Sequence, residues 1–288
     1  LSMLVTALLR QVKRFKYMKI ERILLTGVEG FIGQYLKNEL FKNGYEVLWA
    51  GKEAHAQKED RGCLLSLHST RETLERLKPD AIFHLAAKSS VADSYLDPLR
   101  TIDYNLSLTR NLTDAISKDR LQIKFFYFSS SAVYARSPNP LSEIDHIGPD
   151  SPYGLSKYLG ELAVRTLPKF LIVRPFFVFG PGKKTDAIGS WCEELWKAKK
   201  IDANNIKLGN LDRVRDLIPI DSFIQTIISI LNSDLEGTEV NIGSGRGTNL
   251  RDIFLTLREM IFPDIEMDTN HISKERLIDR EFVVADMS

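Results

Sequence analysis

Cysteine is almost missing from this sequence. Cys63 and Cys192 are the only two in 288 residues, and neither belongs to a spacing that holds a metal. That excludes a disulfide scaffold and a zinc ribbon, leaves no metal expected, and suits a reducing cytoplasm, the expected location. A dominant charge is missing too: 39 Lys and Arg against 38 Asp and Glu leave a net +1, so nothing points to nucleic acid as a partner. No apolar run is long enough to cross a bilayer, and there is no internal repeat, low-complexity tract or Pro/Gly/Ser-rich linker. What is present is an ordinary globular mixture, 43% hydrophobic and 27% charged, long enough for one large domain or a domain with a smaller lobe.

Residues 1–17 stand apart. Residues 1–20 hold no acid but five bases, Arg10, Lys13, Arg14, Lys16 and Lys19, while Leu4, Val5, Leu8, Leu9, Val12 and Phe15 recur at helical spacing. Two readings stay open: a targeting or membrane-surface helix, and an upstream or appended extension that packs as a helix.

From residue 22 to about 175 strand-like and helix-like segments alternate. Strands are expected at 22–26, 46–50, 63–66, 81–84, 123–128 and 170–173, and helices at 31–42, 70–77, 98–117 and 153–166, with Asn43-Gly44 as a helix stop. Such alternation implies parallel strands joined by right-handed crossovers, an α/β doubly wound sheet. The pattern loosens after residue 176, where a second, smaller lobe is expected to pack directly on the first.

The first expected strand runs into Thr26-Gly27-Val28-Glu29-Gly30-Phe31-Ile32-Gly33. Glycines there permit a tight turn and a close approach of a pyrophosphate to the backbone, and the following helix aims its free N–H groups at that anion. Gly33 removes a side chain where helix and strand must pack. The second strand ends Trp49-Ala50-Gly51-Lys52. A carboxylate at that point would bond the ribose hydroxyls and repel a 2′-phosphate. It is absent and a cation follows, which favours NADP(H), with NAD(H) as the alternative. Either Lys52 pairs with the phosphate, or it faces solvent and Glu53 bonds the ribose instead.

The fifth expected strand ends in Ser129-Ser130-Ser131-Ala132-Val133-Tyr134, and Pro152-Tyr153-Gly154-Leu155-Ser156-Lys157 follows. Tyr153 and Lys157 stand at i and i+4, on one helix face. A free tyrosine titrates near ~10, and a neighbouring ammonium is expected to stabilise its phenolate and lower that value. The lysine also suits the nicotinamide ribose, and a serine hydroxyl at the strand end suits the reacting oxygen.

With these motifs the chain resembles the extended short-chain dehydrogenase/reductases, the NAD-dependent epimerase/dehydratase group that acts on nucleotide sugars. The likeness runs from about residue 20 to the end. It includes His84-Leu85-Ala86-Ala87, Asp97-Pro98, Asn105, Arg174-Pro175-Phe176, Gly180-Pro181-Gly182, Arg215-Asp216 and Asn241-Ile242-Gly243-Ser244-Gly245. It implies a Rossmann domain at 18–176 and a mainly substrate-binding lobe at 177–288, with segments near 214–243 returning to the Rossmann domain. It also implies Ser130, Tyr153 and Lys157 as catalytic residues. The cofactor is expected on Gly27, Gly30, Phe31, Ile32, Gly33, Lys52, Leu85, Ala86, Ala87, Asn105, Tyr153, Lys157 and Phe176. The substrate is expected on Ser131, Phe177, Arg215 and Arg276, the two arginines clamping its diphosphate. In relatives the helices expected at 98–117 and 153–166 pair across a dimer axis, so a homodimer is expected. The stripe Leu106, Leu108, Leu112 and Ile116 either serves that axis or faces the chain's own sheet.

Departures narrow the reaction. Phe177 replaces the family's usual Asn, Ser66-Leu67 replaces an Asp-hydrophobic pair, and Asp286-Met287-Ser288 falls where relatives continue with a further helical segment. The Asp-Glu pair of a 4,6-dehydratase is Ser131-Ala132 here. The Cys and His of a 3,5-epimerase/reductase are matched by Ala132 and Gly182. The stretches Ile206–Asp216 and Ala86–Val91 most resemble GDP-4-keto-6-deoxy-mannose reductases. A 4-keto reductase is therefore favoured, with a 4-epimerase holding NAD as the alternative and a non-catalytic dinucleotide-sensing protein as the second. With Lys52 on the phosphate, steady-state kinetics should show NADPH preferred over NADH, and Gly51→Asp should reverse that order by like-charge repulsion. With Lys52 in solvent, Lys52→Ala changes little.

Overall fold

Apolar residues run almost without interruption through the inner strands, and because successive side chains point to opposite faces, these strands serve two cores. In a computed structural model that describes residues 20–50, 64–183, 186–268 and 280–288, this is the organising feature. The extension at 1–17, Gly51, Lys52, Glu53, Cys63 and Arg276 lie outside the described residues.

The first half runs Arg22–Thr26 (β1), Phe31–Lys42 (α1), Glu46–Ala50 (β2), Leu67–Leu77 (α2), Ala81–His84 (β3), Val91–Leu96 (α3), Pro98–Lys118 (α4), Lys124–Phe128 (β4), Pro152–Val164 (α5) and Phe170–Pro175 (β5). The second half runs Phe177–Phe179 (β6), Ala187–Lys200 (α6), Asn205–Lys207 (β7), Val214–Pro219 (β8), Ile220–Leu231 (α7), Thr238–Ile242 (β9), Gly247–Asn249 (β10), Leu250–Ile261 (α8), Glu266–Asp268 (β11) and Phe282–Val283 (β12). The main sheet is parallel and six-stranded, in the order β2-β1-β3-β4-β5-β9. It is a Rossmann-like, doubly wound sheet. Chain order reverses direction between β1 and β3, which opens a crevice at their carboxyl ends.

One face carries Ile23, Leu25, Phe83, Phe126, Phe128, Leu171 and Val173, covered by Leu36 and Leu40 of α1 and by Phe223, Ile224 and Ile227 of α7. The other carries Leu24, Ile82, Phe125, Tyr127 and Ile172, covered by Leu74 of α2, by Leu108, Leu112 and Ile116 of α4, and by Val164 of α5. The α4 stripe is thus committed to its own sheet, Leu106 being only half-buried, and it gives no support to a dimer. Among the described residues no helix is long and apolar enough to cross a membrane. The smaller lobe has its own core, with Leu195 and Ala198 of α6 against Phe254 and Ile261 of α8.

One expectation is corrected. Leu64 to Ser66 form no strand: Leu64 and Leu65 lie in a turn, and the Ser66 hydroxyl accepts from Ser69 N to cap α2, which begins three residues before the expected start. The sixth strand of the sheet is β9, which lies in the 214–243 stretch expected to return to the Rossmann domain; its sequence is polar with no readable alternation, and pairing with β5 places it. Short α3, capped by Ser90, was not foreseen. Phe223, fully buried, lies with its ring centroid 6.4 Å from that of Phe128, tying a helix of the second half to the sheet. Phe223→Ala is expected to cost about 3–5 kcal/mol, read by chemical denaturation.

Candidate active site

The crevice begins where β1 ends. Gly27 turns the chain with φ +73°, a conformation that disfavours a side chain. A Cβ on Gly27 would also come within 2.7 Å of Ala86 N, and one on Gly33 would run into the Gly27 carbonyl oxygen. Gly30 caps α1, whose first N–H groups face the crevice.

A buried chain of hydrogen bonds holds β1, β3 and α4 in register below this turn. Thr26 Oγ1 accepts from Ala86 N at 3.2 Å and lies 2.8 Å from His84 Nδ1, while His84 Nε2 lies 3.1 Å from Thr109 Oγ1. Thr109 donates to Asn105 O at 3.1 Å. The neutral ring thus bonds a threonine hydroxyl through each nitrogen, one nitrogen donating and the other accepting. Burial, helped by the nearby Lys157 charge, pushes His84 down to about 3, so it stays neutral.

Tyr153 and Lys157 sit in α5, started by Ser151, whose hydroxyl accepts from Gly154 N at 3.0 Å. Both face the crevice from buried positions, beside Ser130 at the end of β4. Ser130 Oγ accepts from Ala132 N at 3.1 Å and is also hydrogen-bonded to the Tyr153 hydroxyl. Lys157 Nζ stands 4.7 Å from the Tyr127 ring centroid. Burial pulls Lys157 down to about 7, against the pull of Glu161 one turn on. Burial also pushes the Tyr153 phenol above its ordinary value, with the Ser130 hydrogen bond opposing. The expected lowering of the phenol by the lysine is therefore corrected. Both groups are desolvated together, and a lysine poised near neutrality carries only part of a charge.

Behind them lies a buried ion pair. Glu161 accepts from Arg174 Nε at 2.9 Å and Nη2 at 2.8 Å, and from Ser129 Oγ at 2.5 Å. Arg174 Nη1 donates to the Tyr134 hydroxyl at 2.9 Å, which donates to Asn241 Oδ1 at 2.7 Å. Burial works against the Arg174 charge, but Glu161 and Tyr134 outweigh it and hold the guanidinium above its ordinary value.

The cleft measures about 1350 Å³. It gathers Gly27, Gly30, Phe31, Ile32, Gly33, Leu85, Ala86, Ala87, Ser130, Tyr153, Lys157, Phe176, Phe177 and Arg215. Two expected residues are not brought to its wall. Ser131 starts a 3-10 turn behind Ser130. Asn105 is spent on protein, Oδ1 accepting from Lys88 N at 2.7 Å and Nδ2 donating to Ser156 Oγ at 2.8 Å and Lys88 O at 3.1 Å. Lys52 and Arg276 lie outside the described residues. Trp191, Glu194, Arg213 and Lys183 also line the cleft and were missed. The Lys183 Nζ stands 4.8 Å from the Phe177 ring centroid and 3.2 Å from Asp186. Its only sequence signal was its place directly after the Gly180-Pro181-Gly182 turn.

A parallel sheet with a glycine turn and a helix amino terminus at its switch point defines a dinucleotide-binding NAD(P)-dependent enzyme. The chain belongs to the NAD dependent epimerase/dehydratase family, whose sequence model matches residues 23–243. It is 28% identical over 259 residues to GDP-6-deoxy-D-mannose reductase of Pseudomonas aeruginosa, covering 86% of this chain and 82% of that protein. It is 30% identical over 259 residues to GDP-6-deoxy-D-talose 4-dehydrogenase of Aggregatibacter actinomycetemcomitans, covering 87% and 84%. It superposes on the structure of RMD from Pseudomonas aeruginosa complexed with NADPH with a TM-score of 0.78 at 25% identity, covering 93% of this chain and 88% of that one.

The Lys157 shift has a measurable consequence. Its folded value of about 7 lies below the ordinary 10.5. Below both values folded and unfolded chains alike hold the proton, and the full cost of burying the charge is present. Between them the folded chain releases the proton while the unfolded chain keeps it, so stability rises with pH across that window. Lys157→Met is expected to exceed the wild type in stability at about pH 6 by on the order of 4 kcal/mol more than at about pH 10, read by paired denaturation curves.

Proposed function

We propose that the chain reduces the 4-keto group of a nucleotide-diphosphate-linked 4-keto-6-deoxy sugar, using NADPH. The observation that carries this reading is the convergence of Ser130, Tyr153 and Lys157 on one cleft that the glycine turn, Arg213 and Arg215 also line. The names of the reductase and the dehydrogenase among its relatives support the choice of sugar chemistry.

The residues present fit a dinucleotide. Side chains at Gly27 and Gly33 would fill the cradle, and the α1 amino terminus would face the pyrophosphate. When bound, the nicotinamide supplies a hydride to the carbonyl carbon. Tyr153 donates its phenolic proton to the carbonyl oxygen as the alcohol forms. The phenol carries the proton that this direction requires, and the Ser130 hydrogen bond opposes the rise that burial imposes on it. Ser130 donates to the same oxygen and holds it against the tyrosine. Lys157 would hold the nicotinamide ribose. Arg213 and Arg215, both on the cleft wall, hold the diphosphate, a task suited to the planar guanidinium fork.

Tyr153→Phe keeps the packed ring and removes the proton. Its turnover of nucleotide-4-keto sugars is expected to fall about 10²- to 10⁴-fold, while NADPH binding followed by nicotinamide fluorescence stays near wild type. Wild-type turnover by this variant would overturn the assignment. Interconversion of a nucleotide-linked 4-hydroxy sugar with its C4 epimer, with no net consumption of nicotinamide and no reduction of nucleotide-4-keto sugars, would make the chain a 4-epimerase.

A further inference from the structure

Ser130 and Tyr153 come from separate segments, and their meeting depends on how those segments are joined. Behind Ser130 the chain turns through Ser131–Val133 to Tyr134. Ahead of Tyr153 it passes Asp150 and the Ser151 cap. One side chain bonds to both stretches, and it comes from neither. Arg280 Nη2 donates to Tyr134 O at 2.7 Å and Ala132 O at 3.3 Å, and Nη1 donates to Ser131 O at 3.4 Å. The same guanidinium holds Asp150, with Nη2 at 2.8 Å and Nε at 3.2 Å from Oδ1.

We propose that Arg280 is a positioning residue that clamps the loop after Ser130 to the turn before Tyr153 and so fixes the distance between the two hydroxyls. The proposal rests on the catalytic reading of that pair.

Three observations support it. The side chain of Arg280 is only 12% exposed, and it does not line the cleft, so its donors serve the scaffold rather than a ligand. The segment that carries it is anchored: Phe282 pairs with Val214, Leu141 N donates to Val284 O at 2.8 Å, and Ala285 N donates to Asp216 Oδ2 at 3.1 Å. The two clamped stretches are already packed so closely that a Cβ on Gly154 would meet the Ala132 carbonyl oxygen, so a small shift of one displaces the other. Asp150 is further braced by Arg136 Nε at 2.9 Å. Ser131 O also accepts from Tyr134 N at 3.3 Å within the 3-10 turn, and a planar fork with five donors reaches several carbonyls together with a carboxylate, as a lysine cannot. Arg280 lies beyond residue 243, where the family match ends.

The test compares Arg280→Met and Arg280→Lys in the full chain, with Asp150→Asn cutting the clamp from the other side should Arg280→Met fail to fold. Hydrogen exchange is expected to rise together in 131–136 and 150–156 for Arg280→Met. Its kcat is expected to fall about 10- to 100-fold, the scale of a misplacement near 1 Å, with KM and NADPH affinity nearly unchanged. Arg280→Lys, which keeps the charge but not the fork, is expected to recover only a small part of kcat. Exchange unchanged in both segments, a loss confined to KM, or full rescue by lysine each overturns the proposal. Should the wild type turn over no nucleotide-4-keto sugar, the functional reading fails, and the exchange measurement still decides whether the clamp exists.

Discussion

The carboxylate of Glu161, without solvent exposure, is the constraint to which the carboxyl edge of this sheet answers. A buried charge is costly unless it is paired and its remaining lone pairs are filled. Here Arg174 from β5 supplies two donors and Ser129 from the end of β4 a third. The far side of the guanidinium is filled by Tyr134, and through it by Asn241 of β9. Arg165 Nη2 also reaches the Glu161 carboxylate at 3.3 Å, and Arg174 Nη1 also donates to Glu143 O at 3.2 Å, so α5, β4, β5 and β9 have a narrow choice of mutual position. Such a pair does more for geometry than for stability, because an apolar replacement of similar volume would avoid the desolvation cost. The geometry it fixes is that of Ser130, next to Ser129, and of Lys157, one turn before Glu161.

Burial then sets the chemistry on the cleft side of that pair. It moves the two groups on one helix face in opposite directions, Tyr153 toward keeping its proton and Lys157 toward losing its own. Glu161 works against the second movement. The same carboxylate that fixes the strand ends therefore preserves part of the lysine's charge, and a single buried acid links the packing of the sheet to the state of the site.

On the other side of the crevice the constraint is steric. The Gly27 turn lies against the Ala86 backbone with no room for a side chain, and the neutral His84 between Thr26 and Thr109 keeps β1, β3 and α4 in step. A charged imidazole is disfavoured there because it would be buried away from water and close to the Lys157 ammonium.

Sequence alone determined whatever depends on short-range spacing. The four residues from Tyr153 to Lys157 put both on one helix face, the glycine turn followed a strand and opened a helix, and strands alternating with helices dictated a parallel sheet. These follow from backbone periods of 2 and 3.6, which hold wherever the segment sits. Tertiary structure decided what depends on neighbours distant in the chain. It turned the Leu108, Leu112 and Ile116 stripe inward, made β9 a strand through pairing with β5, and occupied Asn105 with Lys88 and Ser156 instead of the cleft. It also reversed the expected shift of Tyr153, because desolvation depends on what packs over a group and not on which residue stands four places away. Arg280 marks the limit of legibility: nothing in its own segment points to the loop behind Ser130, and only the return of the chain's last residues to β8 and Leu141 brings the two together.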